Sequence, residues 1–153
     1  AELCDVFYIG GTKCGALFGE AVVIPKRGFI PHFFTIMKQH GALLAKGWLL
    51  GLQFDVLFTD GLYLKVGKAA IAAAGRIRAT LREYGYQLCW DTPANQVFVI
   101  LENAQMKRLA ESVEFSFWEK YDATHTVIRL AASWATTEED TEKLLVVLKE
   151  NVV

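Results

Sequence analysis

One lysine stands among small residues between two apolar runs in "DVFYIGGTKCGALFGEAVVI" (Asp5 to Ile24). A lysine in such a loop is usually a solvated residue, but these surroundings also allow chemistry. Gly10, Gly11 and Gly15 remove β-carbons around Lys13, which frees the backbone and admits a bulky group close by. Thr12 places a hydroxyl beside it. An amine held among apolar strands is desolvated, which disfavours its charged form. Neutral lysine is the nucleophile that forms an imine with an aldehyde.

Other groupings of reactive side chains fit their chemistry less well. "GLYLKVGKA" (Gly61 to Ala69) looks like a phosphate loop, yet five residues separate its glycines where four are needed. Ala69 also stands where a magnesium-binding hydroxyl is required. "GGTKCG" has the wrong glycine spacing for a dinucleotide site, with no βαβ unit and following acid. His32 and His40 would lie about 80° apart around a helix. With no third ligand converging on them, they read as surface or capping histidines rather than metal ligands. His125 sits beside a strand without a serine or cysteine nucleophile signature nearby. Cys14 reads as a small buried residue.

The elements that must position these residues form an apolar chain. Of 153 residues 53% are hydrophobic and 22% charged, with a mean hydropathy of +0.25. A chain of this size and composition contributes to a larger core or buries surface against something else. The net charge of −1 gives no electrostatic case for nucleic acid or an anionic membrane. Three cysteines (Cys4, Cys14, Cys89), an odd set without close pairs, point to a reducing compartment. The acidic start "AELCD" lacks a signal peptide's basic region, and no apolar run reaches the roughly 18 residues of a membrane helix. A cytoplasmic protein is expected.

Residues 6–9 and 20–24 read as short buried strands joined by the lysine loop, with Pro25 ending the second. From about Phe29 to Tyr84 the pattern is helical. "HFFTIMKQHGALLAKGWLLGLQFDVLF" is apolar on so many faces that burial on more than one side is expected. "LYLKVGKAAIAAAGRIRATLREYG" is rich in helix formers and stops at Gly85. Then follow strands "YQLCW" and "QVFVIL", a helix "NAQMKRLAESV" capped by Asn103, and strands "FSFW" and "HTVIRLAAS". A final helix starts near Thr137, where Thr136 and Glu139 have the spacing of a capping box. The chain thus divides into a remnant of a larger domain (1–30), connecting buried helices (31–84) and a small C-terminal α/β domain (85–153). The first strands are of the central, apolar kind and nothing precedes them to pair with, which predicts the C-terminal part of a larger fold.

"DVFYIGGTKCGALFGEAVVI", followed in order by "KQHGALLAKGWLLGLQF" and "HTVIRLAASWATTEED", resembles the low-specificity threonine aldolase branch of the β-eliminating amino-acid lyases. That resemblance covers nearly the whole chain. It implies an α/β fold of PLP (pyridoxal 5′-phosphate) fold type I, the aspartate-aminotransferase fold, present in part. Residues 1–30 would then belong to the large PLP-binding domain. Lys13 in "GGTK" would be the Schiff-base lysine, with Thr12 near the cofactor phosphate. Arg129 in "VIRLAASW" would grip the substrate α-carboxylate through a bidentate fork. Without the resemblance, Arg129 reads as an edge-strand surface arginine, although Val127, Ile128 and Leu130 around it favour partial burial.

The family pattern also includes a longer N-terminal half. That half holds the residue stacking on the cofactor ring, the aspartate pairing with its pyridine nitrogen, and the glycine-rich phosphate cradle. None of these precedes Ala1, so this chain is expected to hold part of an active site and to be inactive alone. The implied partners are an amino-acid substrate, the N-terminal half and other subunits of a homo-oligomer. The implied reaction cleaves threonine or allo-threonine to glycine and an aldehyde. No base for the β-hydroxyl is identifiable here. Two alternatives stay open: another fold-type-I PLP enzyme (an aromatic amino-acid lyase or an aminotransferase), or a non-catalytic α/β module.

Overall fold

The computed structural model describes residues 1–152. Two compact units divide within one long helix, the first being Ala1–Lys65 and the second starting at Val66. In the first unit, β1 (Phe7–Gly10) and β2 (Glu20–Val23) pair antiparallel, from Phe7 opposite Val23 to Gly10 opposite Glu20. Period-two alternation turns Tyr8 and its cross-strand partner Val22 to one exposed face, 70% and 63% accessible. The buried strands expected from their apolar sequence are therefore half-buried within this chain.

The helices of this unit depart from expectation in the same way. α1 (Phe33–Gln39) has no buried residue, and α2 (Trp48–Phe58) buries Phe54 and Leu57 alone. Trp48, Leu52 and Val56 stay exposed, so burial on more than one side is not met. An apolar pattern around a helix records what the sequence can bury, whereas this unit covers a single stripe of it. His32 and His40 stand at the two ends of α1 as its capping residues.

The second unit is a sheet backed by helices. α3 (Leu62–Glu83) buries Ala70, Ala73, Ala74, Ile77 and Leu81, a stripe at helical spacing filled mostly by alanine, the best helix former. It ends as read from the sequence: Gly85 takes a left-handed φ of 77°. There Gly85 N–H donates to Arg82 O (3.2 Å) and Tyr86 N–H to Leu81 O (2.9 Å), closing a Schellman motif. β3 (Gln87–Leu88), β4 (Gln96–Glu102), β5 (Ser116–Lys120) and β6 (His125–Ala131) form an antiparallel sheet in the order β3-β4-β6-β5. Val97, Val99 and Leu101 of β4 with Ile128 and Leu130 of β6 face the buried stripe of α3. Leu109 of α4 (Asn103–Leu109) and Leu145 and Leu148 of α5 (Glu138–Glu150) complete that core.

Two caps differ from the sequence reading. Asn103 does not cap α4; its amide donates to Ala123 O (3.3 Å) and accepts from Thr126 Oγ1 (2.8 Å), tying the helix start to the β5–β6 hairpin. Thr137, not Thr136, caps α5. Asp140 N–H donates to Thr137 Oγ1 (3.0 Å) and Thr137 N–H to Asp140 Oδ2 (3.2 Å). Thr136 instead accepts from Ser133 N–H (2.9 Å) in the preceding turn. Thr137→Ala should therefore cost about 1 kcal/mol of stability in chemical unfolding, and a larger loss for Thr136→Ala would contradict this cap.

Candidate active site

Lys13 rides on a single 3₁₀ turn, Thr12–Cys14, between β1 and β2. Glycine is required on both sides of it, for different reasons. A β-carbon on Gly11 would sit 2.6 Å from Ala16 Cβ and 3.0 Å from the Phe54 ring. Gly15 closes the turn in the left-handed region at φ 97°. Cys14 N–H (2.9 Å) and Ala16 N–H (3.0 Å) both donate to Gly11 O, which makes the loop a compact knot rather than an open hairpin. Thr12 and Lys13 are exposed on this knot, so the first unit does not supply the apolar surroundings expected for the amine. Cys14 is half-buried, not buried.

Three side chains distant in sequence grip the knot. Tyr63, in the first turn of α3, donates its hydroxyl to Gly10 O (2.9 Å). Phe54 lies against Gly11 and packs at a tilt on Phe58, which meets Tyr63 edge-on, each pair 5.7 Å between centroids. Gln53 of α2 accepts from Leu17 N–H (2.7 Å) and donates to Phe18 O (3.1 Å), fixing the far end. None of the three stands out in the sequence, because each acts across 35 or more residues.

Arg129 belongs to the second unit. Its strand β6 is interior, between β4 and β5, so it is not an edge-strand residue. The half-buried guanidinium donates to Gln96 Oε1 (3.3 Å) and Ser116 Oγ (3.1 Å) and lies 5.6 Å from the Trp118 ring centroid. Trp118 packs edge-on against Phe98 (4.9 Å), and Phe98 against Trp90 (5.0 Å). Arg129 Nε is buried without a hydrogen-bond partner, and no carboxylate among the described residues pairs with the guanidinium. A cation held by neutral oxygens and an aromatic face, with a donor to spare, suits an incoming carboxylate. The alternation of "FSFW" puts Ser116 and Trp118 on one strand face and was the available signal for these neighbours.

The residues at the turn fit the aldehyde end of PLP. Lys13 offers an exposed primary amine that is in no ion pair among the described residues, and Thr12 an adjacent exposed hydroxyl. Nothing lies within 4 Å of the place a β-carbon on Gly10 would take. Among the described residues there is no cluster of three His, Cys, Asp or Glu side chains able to hold a metal ion.

No family model matches the chain. It is 28% identical over 142 residues to the low-specificity L-threonine aldolase of Pseudomonas sp. (strain NCIMB 10558), a match covering 92% of this chain and 40% of that protein. Threonine aldolase from Leishmania major superposes with a TM-score of 0.91 at 39% identity, over 99% of this chain and 44% of that one. Serine palmitoyltransferase from Sphingomonas wittichii shares the fold (TM-score 0.68, 16% identity, 96% of this chain and 39% of that one). A serine palmitoyltransferase from S. paucimobilis, solved with a bound PLP-myriocin aldimine, matches 67% of the chain at a TM-score of 0.53 and 14% identity. The chain thus spans about two fifths of the length of the threonine aldolases it matches. Across that part, its sequence is similar to those of the threonine aldolases, and its architecture is the partial fold type I that they share with serine palmitoyltransferase.

Proposed function

We propose that this chain supplies the lysine and the carboxylate-binding arginine of a PLP-dependent aldolase. The reaction would cleave the Cα–Cβ bond of a β-hydroxy-α-amino acid, threonine or allo-threonine, to give glycine and an aldehyde. The observation that carries this reading is the likeness to Leishmania major threonine aldolase, at 39% identity over 99% of the chain. PLP, when bound, supplies the electron sink for the pair released as the Cα–Cβ bond breaks.

The chain's own residues have separate tasks. Lys13 would hold the cofactor through its amine, and Thr12 would offer a hydroxyl to the phosphate. Arg129 fixes the α-carboxylate through its fork, and so sets which bond at the α-carbon is presented for cleavage. Gln96, Ser116 and Trp118 keep that guanidinium from wandering. The ring-stacking residue, the partner of the pyridine nitrogen and the phosphate cradle belong to the part of such proteins that this chain does not span. The intact protein works as a homo-oligomer in the cytoplasm, a setting in keeping with three cysteines that form no disulfide.

The test is product analysis of the intact protein loaded with PLP. L-Threonine or L-allo-threonine should yield glycine and acetaldehyde in equal amounts. Ammonia and a keto acid instead, or an amino group passed to an added keto acid, would replace the aldolase reading with one of its fold relatives.

A further inference from the structure

The lysine turn is gripped at both ends and from below, and one grip comes from a different helix than the others. Tyr63 is the second residue of α3, which follows α2 through a sharp corner (Thr59–Gly61). Asp60 and Gly61 both take left-handed angles there, φ 50° and 67°. A non-glycine residue held in that region is a strained feature that the surrounding structure must enforce. Across this kink Tyr63 meets Phe58 edge-on and its hydroxyl reaches Gly10 O at 2.9 Å. Gly10 is the last residue of β1, three before the lysine. Burial, together with the Cys14 thiol beside it, raises the pKa of the Tyr63 hydroxyl, so it stays protonated and donating through the neutral range. Tyr63 thus anchors the chain at residue 10, on the β1 side of Lys13.

We propose that Tyr63 is a positioning residue for Lys13: its hydroxyl, bonded to the Gly10 carbonyl, holds the turn closed and so fixes where the lysine amine projects. The proposal rests on the reading of Lys13 as the cofactor-binding lysine. A long, flexible side chain delivers its nitrogen reproducibly only if its α-carbon is fixed, and small misplacements of a reacting group are costly in rate. Phe54 and Gln53 hold the floor and the exit of the turn. Tyr63 holds its entrance.

The experiment uses Tyr63→Phe in the intact protein, which deletes one oxygen and keeps the ring against Phe58. In the cofactor-free protein, amide hydrogen exchange in peptides covering residues 10–16 should quicken about fivefold, the loss of one neutral hydrogen bond. Exchange in the second unit should stay unchanged. On adding PLP, the visible band of lysine-bound cofactor should appear about tenfold more slowly or worse, while borohydride still fixes the label on Lys13. Tyr63→Leu, which keeps an apolar contact with Phe58, should reproduce both effects and stands in if the phenylalanine variant folds poorly. Unchanged exchange and an unchanged rate, with wild-type label on Lys13, would overturn the role of Tyr63 and leave that of Lys13 intact. Wild-type label on a different lysine would overturn both.

Discussion

Lys13→Ala in the intact protein should lower steady-state threonine cleavage by about three orders of magnitude or more, the scale of losing a positioned covalent group. Cofactor binding should survive, because the ring and phosphate contacts are proposed to come from other residues. The bound PLP should then lack the absorption of the lysine-linked form, and added amino acid should restore a shifted band without turnover. Lys38→Ala is the matched control: an exposed lysine on α1 whose removal should leave the spectrum and the rate as they were. Borohydride label on Lys38, or full activity in the Lys13 variant, would reduce the glycine-flanked knot to an ordinary turn.

Arg129→Ala should act on the other end of the substrate. Losing a desolvated, bidentate carboxylate contact typically costs about 2–5 kcal/mol, roughly thirtyfold or more in affinity. The Michaelis constant for threonine should rise by at least that factor while PLP stays bound with its usual spectrum. Arg129→Lys keeps the charge but loses the fork, and should recover only part of the loss. The variant also removes a cation stacked on Trp118 and two hydrogen bonds, so kinetics must be read beside a melting curve. Threonine turnover unaffected by Arg129→Ala would move the carboxylate anchor to another residue.

Much of this fold is written in local pattern. The alternation in "QVFVIL" and "HTVIRLAAS" gives two strands whose inward residues, Val97, Val99, Ile128 and Leu130, are those of the core. Gly85 marks the end of α3 because only one backbone conformation closes that cap cheaply. The start of α5 shows where local pattern fails. Thr136 with Glu139 and Thr137 with Asp140 have the same spacing, and the choice between them is made by Ser133, which engages Thr136 first. α2 shows a second kind of failure: Leu52 and Val56 are apolar enough for burial, but a hydropathy pattern does not say what covers them.

The candidate site divides the same way. Lys13 is legible because its glycines are adjacent to it in sequence. Its supports are not: Gly10 and Tyr63 are 53 residues apart, and no periodicity links them. Arg129 stands out through its motif, yet its placement on an interior strand depends on β5 joining the sheet outside β6, which strand order in the sequence does not dictate.

The pairing of β5 with β6 shifts by one residue between Phe117 and Glu119, so Trp118 is the unpaired extra residue of a bulge. Insertions and deletions usually drift into loops, where they change little. Here a single-codon deletion inside a strand would restore regular pairing and at the same stroke remove the ring beneath Arg129. Strand length at this point is thereby coupled to the support of the Arg129 guanidinium, and on the carboxylate-binding role proposed for Arg129 a lineage could retune that contact by a change in length rather than by point substitution.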